Sequence, residues 1–197
     1  MLFRSLHPFL AHEYPVPAPL RARLTQARAN AWCHAAARTP LPEAPASSDE
    51  RGAGETRRLR IGYLSADFHD HPTLHLMGGM FARHARERFE VFAYSMGPDD
   101  GSAQRRRVQA DVEHFVDIRA LPAVQTAARI RADGIDILVD LKGHTAGSRL
   151  AALARRPAPV QVSWLGFPGT SGAGFIDYVI GDPIVTPLAD AADYSEI

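Results

Sequence analysis

Cysteine is almost missing from these 197 residues. Cys33 stands alone, so the chain can form no intramolecular disulfide and no Cys-based zinc site, and nothing in it requires an oxidising compartment. Long hydrophobic runs are missing as well. No uninterrupted apolar stretch approaches the roughly 20 residues of a membrane span, and the opening Met1-Leu2-Phe3-Arg4-Ser5-Leu6-His7-Pro8 lacks the apolar core of a signal peptide. The expectation is a soluble, cytoplasmic chain with no membrane partner. Net charge is absent too: 22 Lys and Arg balance 22 Asp and Glu. That removes the long-range field of a protein that grips nucleic acid through its phosphates, so no nucleic-acid partner is expected. What is present is apolar material, 46% of the residues, enough for a sizeable core.

Two textures divide the chain. Residues 1–38 open with Pro8, Pro15, Pro17 and Pro19 and continue into an Ala-, Arg- and Leu-rich stretch, Leu20 to Arg38, that predicts one helix. Residues 39–57 are rich in Pro, Ser and Gly and read as a linker. From residue 58 to 197, strand and helix patterns alternate. Leu59–Ser65, Phe89–Ser95, His114–Ile118, Ile135–Leu141, Pro159–Leu165 and Phe175–Ile180 read as strands. Helices are expected over Thr73–Arg86, through Val108, and over Ala120–Ala132, the last closed by Gly134. This order predicts right-handed βαβ units in a Rossmann-like, doubly wound parallel sheet, an α/β fold with a short helical N-terminal segment.

Such a sheet binds ligands at the carboxyl ends of its strands. The first strand delivers Asp67 and His71 to that rim, and Pro72 suits the first helical position, which makes His71 the N-cap. Two readings are open for this pair. Asp67 and His71 act on a substrate hydroxyl as acid-base or orienting groups, or they only cap backbone amides at a helix start. His69, His71 and His75 with Asp67 and Asp70 also suggest a metal, but Pro72 interrupts any shared helical face and no metal site is assigned. Lys142, the only lysine, follows the most apolar strand and can meet an anion or pair with Asp140 or Asp67. Gly166-x-x-Gly169-x-x-Gly172 is a tight turn that can point amides at a sugar or phosphate. Arg105-Arg106-Arg107 and Arg155-Arg156 read as solvated helix faces.

Four collinear blocks carry a resemblance. They are Leu59 to Pro72 with its Ser-Ala-Asp-Phe-His-Asp-His-Pro, Phe89 to Gly101, Asp133 to Thr145, and Arg156 to Gly172 with its Trp-Leu-Gly-Phe-Pro-Gly-Thr-Ser-Gly. Together they resemble the O-linked N-acetylglucosamine transferase family, including its Spindly-like and bacterial members. The resemblance implies the first lobe of a GT-B type glycosyltransferase, preceded in the family by tetratricopeptide repeats and followed by a second lobe that holds most donor contacts. The chain is therefore expected to be a fragment that does not transfer sugar alone. The resemblance also implies inverting transfer of N-acetylglucosamine from UDP-GlcNAc to Ser or Thr hydroxyls of a protein acceptor, with no cofactor and no metal. Asp67 and His71 fall on the family's active-site aspartate and histidine. Thr73, Leu165, Gly166, Phe167, Pro168 and Gly169 fall with the substrate-binding residues. Phe167 and His144 each stand where the family has tyrosine, which leaves backbone contacts in place and removes the tyrosine hydroxyl. The proton acceptor is open among Asp67, His71 and the donor phosphate. Two alternatives remain, a Spindly-like O-fucosyltransferase using GDP-fucose and a non-catalytic interaction module.

Overall fold

The computed structural model describes residues 7–12, 14–41 and 57–196. Six strands form one sheet, all parallel, in the order β3-β2-β1-β4-β5-β6. They are β1 (Leu59–Ser65), β2 (Phe89–Ser95), β3 (His114–Asp117), β4 (Ile137–Asp140), β5 (Val160–Trp164) and β6 (Tyr178–Ile180). This is the Rossmann-like sheet expected from the alternating pattern. The chain moves outward from β1 to β3, then returns to the other side of β1 with β4, so the topological switch lies between β1 and β4.

Period-2 alternation assigns each strand residue to one of two cores. Tyr63, Val91, Ala93, Val139 and Val162 pack with Leu74, Met77 and Phe81, and with Val108 of α3 (Ala103–Asp111). Leu64, Phe92, Tyr94 and Leu138 pack on the opposite face with Ile130 of α4 (Ala123–Ala132) and with Leu150 and Leu153 of α5 (Leu150–Leu153). Each buried side chain of this size contributes about 1.5–3 kcal/mol relative to exposure. The N-terminal helix α1 (Ala18–Arg38) docks on the second face, where Ala29 enters the core and Trp32 packs against it. Most of the linker expected over 39–57 lies outside the described residues. No helix among the described residues is long and apolar enough to cross a membrane.

Several expectations need correction: the strand expected over Phe175–Ile180 is only β6, with Gly174 and Phe175 in a turn, and Arg155 and Arg156 follow α5 rather than lying on a helix. The helix after β1 is α2 (Pro72–Met77), not a helix running on to Arg86, because Gly78 and Gly79 follow Met77 and glycine is a poor helix former. The strand expected over Ile135–Leu141 is shorter, Ile137–Asp140, with the Asp136 and Leu141 amides still donating to the β1 carbonyls of Arg60 and Leu64. Arg105 is no solvated residue: it is 2% exposed. Its Nη1 donates to the Phe68 carbonyl (3.1 Å), Ser95 Oγ (3.1 Å) and the Pro98 carbonyl (3.3 Å), so α3 ties together the loops that follow β1 and β2.

Candidate active site

Parallel pairing of β1 with β4 and of β4 with β5 sends three chain segments out at one edge. Asp67, Lys142 and Gly166 therefore share the carboxyl rim at the switch point. Lys142 Nζ donates to both oxygens of Asp67, at 2.8 Å each, and the two side chains are 8% and 7% exposed. Of the roles open to Lys142, the structure selects the ion pair with Asp67 across the switch. Asp140 is fully buried beneath it and accepts the Gly143 amide (2.8 Å) and the Lys142 amide (3.3 Å). Desolvation raises its carboxyl to about 7 despite these amides and the Lys142 charge.

His71 is the N-cap of α2 and Pro72 opens the helix, as the spacing predicts. The Thr73 amide donates to His71 Nδ1 (3.2 Å), so the neutral ring carries its proton on Nε2. Thr73 Oγ1 lies 3.1 Å from the same nitrogen and donates to Asp67 Oδ2 at 3.4 Å, and His71 Nδ1 is 3.6 Å from that oxygen. Asp67, His71 and Thr73 thus form one contiguous group, with Lys142 behind it. His75 sits apart, paired with Asp70 at 2.8 Å. No group of three metal-ligating side chains occurs among the described residues.

The turn after β5 is built from backbone. Leu165 and Gly166 are both left-handed, at φ 58° and 66°. A Cβ on Gly166 would fall 2.4 Å from the Leu141 carbonyl oxygen, so only glycine lets the turn lie this close to the end of β4. Leucine in this conformation stores strain that the surroundings must hold. Gly166 and Pro168 face solvent, while the Phe167 ring is buried edge-on against His144, centroids 5.0 Å apart. His144 makes a side-chain hydrogen bond: its Nε2–H donates to the Ser171 carbonyl at 2.8 Å. Burial pushes its imidazole down to about 4.

Residues 2–197 match glycosyl transferase family 41. The chain belongs to that family. It is 43% identical over 98% of its length to a probable UDP-N-acetylglucosamine–peptide N-acetylglucosaminyltransferase SEC of Arabidopsis thaliana, covering 20% of that protein. Against the Caenorhabditis elegans UDP-N-acetylglucosamine–peptide N-acetylglucosaminyltransferase, identity is 40%, over 98% of this chain and 17% of the relative. A SPINDLY protein of Arabidopsis thaliana is 37% identical over 66% of this chain and 15% of its own length. A mutant Thermobaculum terrenum O-GlcNAc transferase superposes with TM-score 0.82 and 34% identity, over 99% of this chain and 36% of the other. This family 41 chain thus spans a fifth or less of the curated relatives named here.

Pattern reading took Arg105 as solvated and gave Glu196 no role in this family 41 lobe. Both are charged residues buried by tertiary contact, and neither lies in a spacing that announces burial.

Proposed function

We propose that the complete protein carrying this lobe is an O-GlcNAc transferase. It moves N-acetylglucosamine from UDP-GlcNAc to a Ser or Thr hydroxyl of a protein acceptor, in the cytoplasm and without a metal or cofactor in this lobe. The observation that carries this reading is the rim itself, where Lys142 joins the Asp67, His71 and Thr73 group across the switch point and lies against Gly166 of the β5 turn. The names of the relatives that span nearly the whole chain supply the donor. The matched SPINDLY protein is likewise named a probable UDP-N-acetylglucosamine–peptide N-acetylglucosaminyltransferase, which supports N-acetylglucosamine over fucose.

In the reaction, the hydroxyl oxygen bonds to the anomeric carbon while the bond from that carbon to the UDP phosphate oxygen breaks, inverting the centre. Both oxygens of Asp67 are held by Lys142, and His71 Nδ1 is held by the Thr73 amide. These contacts suit positioning better than proton removal: His71 offers Nε2–H as a donor to a substrate oxygen, and the hydroxyl proton passes to the departing phosphate. Gly166 to Gly169 present backbone to the sugar, with Leu165 setting the turn and Phe167 anchoring it. Charge on the diphosphate needs helix N-termini and cations, which this reading assigns to the second lobe.

The test is transfer by the complete protein to an acceptor peptide, with UDP-GlcNAc and GDP-fucose offered separately. Product with UDP-GlcNAc alone is expected. Product with GDP-fucose alone replaces the donor, and no transfer or donor binding of either kind leaves the non-catalytic interaction module.

A further inference from the structure

The far end of the β5 turn is gripped by a carboxylate to which the sequence reading gave no role. After a 3-10 helix over Leu188–Asp193, Ser195 and Glu196 lie against Thr170 and Ser171. Glu196 is 8% exposed. Its Oε1 accepts the Ser171 amide at 2.7 Å, and its Oε2 accepts Thr170 Oγ1 at 2.7 Å and Ser195 Oγ at 3.0 Å. Thr170 Oγ1 in turn accepts the Gly172 amide (3.1 Å) and the Ser195 amide (3.0 Å). From the other side, His144 holds the Ser171 carbonyl (2.8 Å), with its ring stacked on Trp32 of α1 at 5.6 Å. Ser171 is therefore fixed at both its N–H and its C=O. A Cβ on Gly172 would fall 2.4 Å from the Gln26 nitrogen, so α1 closes the remaining side.

A buried carboxylate is an expensive way to gain stability, since apolar residues of similar size often do as well. Its distinctive product is a single geometry, because a satisfied charged acceptor makes short, directional bonds. The β5 turn needs one. Its own backbone bonds are two tight contacts, Phe167 N–H to the Leu165 carbonyl (2.7 Å) and Gly169 N–H to the Phe167 carbonyl (3.0 Å), and it begins on a left-handed leucine. We propose that Glu196 is a positioning residue that locks Thr170 and Ser171, so that Gly166 to Gly169 stay where the donor sugar binds. The sugar-binding part of this proposal rests on the reading of the turn given under Proposed function.

The experiment uses the complete family 41 protein carrying this lobe, with Glu196→Ala, Glu196→Gln and Thr170→Val, read by steady-state kinetics and by hydrogen exchange of the 165–172 segment. Glu196→Ala is expected to speed exchange in that segment and raise KM for UDP-GlcNAc about tenfold with kcat within about twofold, the pattern of lost uniform binding. Glu196→Gln keeps one acceptor for the Ser171 amide and should raise KM less. Thr170→Val, which keeps the carboxylate, carries the same test if Glu196→Ala does not fold. Unchanged exchange overturns the proposal, as does faster exchange with unchanged KM. If the unmodified protein neither binds nor uses UDP-GlcNAc, the functional reading falls separately. Exchange then judges the lock alone: faster exchange in Glu196→Ala upholds it and unchanged exchange overturns it.

Discussion

The loop after β1 and the turn after β5 flank the end of β4, yet they are built on different physics. The β1 loop works through side chains: Asp67 against Lys142, and His71 against the Thr73 amide. The β5 turn works through backbone, with two successive left-handed residues, the second of them, Gly166, pressed on the Leu141 carbonyl. The first is held by charge, which a second substitution can rebalance. The second is held by shape, which no change of charge restores. One side of the rim thus presents polar side chains, and the other presents a close, fixed backbone surface.

The largest expected effect tests the charge side. Lys142→Met leaves a buried carboxylate without its cation and should cost about 3–5 kcal/mol of stability in urea denaturation. Adding Asp67→Asn to the same chain should return at least half of that loss. A single variant as stable as the original would remove the ion pair from the comparison. Gly166→Ala tests the shape side. A left-handed alanine costs about 1–2 kcal/mol, and the clash with the Leu141 carbonyl brings the expected loss to about 2–3 kcal/mol. Here Asp67→Asn should recover nothing, and recovery would show the two sides of the rim to be one unit.

His71→Ala separates capping from chemistry. Loss of the N-cap should cost about 1 kcal/mol in thermal denaturation. In the complete protein, turnover should fall by a factor of roughly ten to a thousand, as for a lost acid-base or orienting group. Lowered stability with unchanged turnover of the folded fraction would return His71 to a cap alone.

The smallest effect in the unmodified chain is a net pH slope. His144 titrates at about 4 when folded against 6.5 unfolded. Between these values the unfolded chain binds more protons, so its contribution to stability is lost as pH falls from 6.5 to 4. Asp140 moves the other way, to about 7 from 3.8, so its contribution is lost as pH rises from 3.8 to 7. The two slopes oppose each other. Melting temperatures between pH 4 and 7 should therefore fall more steeply on acidification in Asp140→Asn than in the unmodified chain, and less steeply in His144→Phe. Parallel curves for all three would show that neither group titrates this way.

Local rules made much of this lobe legible. The strands expected at Leu59–Ser65 and Phe89–Ser95 occur with those bounds, because alternation over seven residues states which face each side chain takes. Pro72 and Gly134 marked a helix start and a helix end through backbone dihedrals alone, and Gly134 sits at φ 65°. Asp67, His71 and the β5 turn could be assigned to one rim because parallel strands deliver their following residues to the same edge. Tertiary structure decided which charges meet. Lys142 reaches Asp67 across 75 residues of chain rather than the nearby Asp140 side chain, and Arg105 is buried under the loops it ties. Glu196 likewise closes on Ser171 only after β6 has been laid down. Dihedral preference and periodicity act between near neighbours and are written in the sequence. Desolvated charge pairs depend on how crossovers bring distant strands together, and that geometry exists only in the folded sheet.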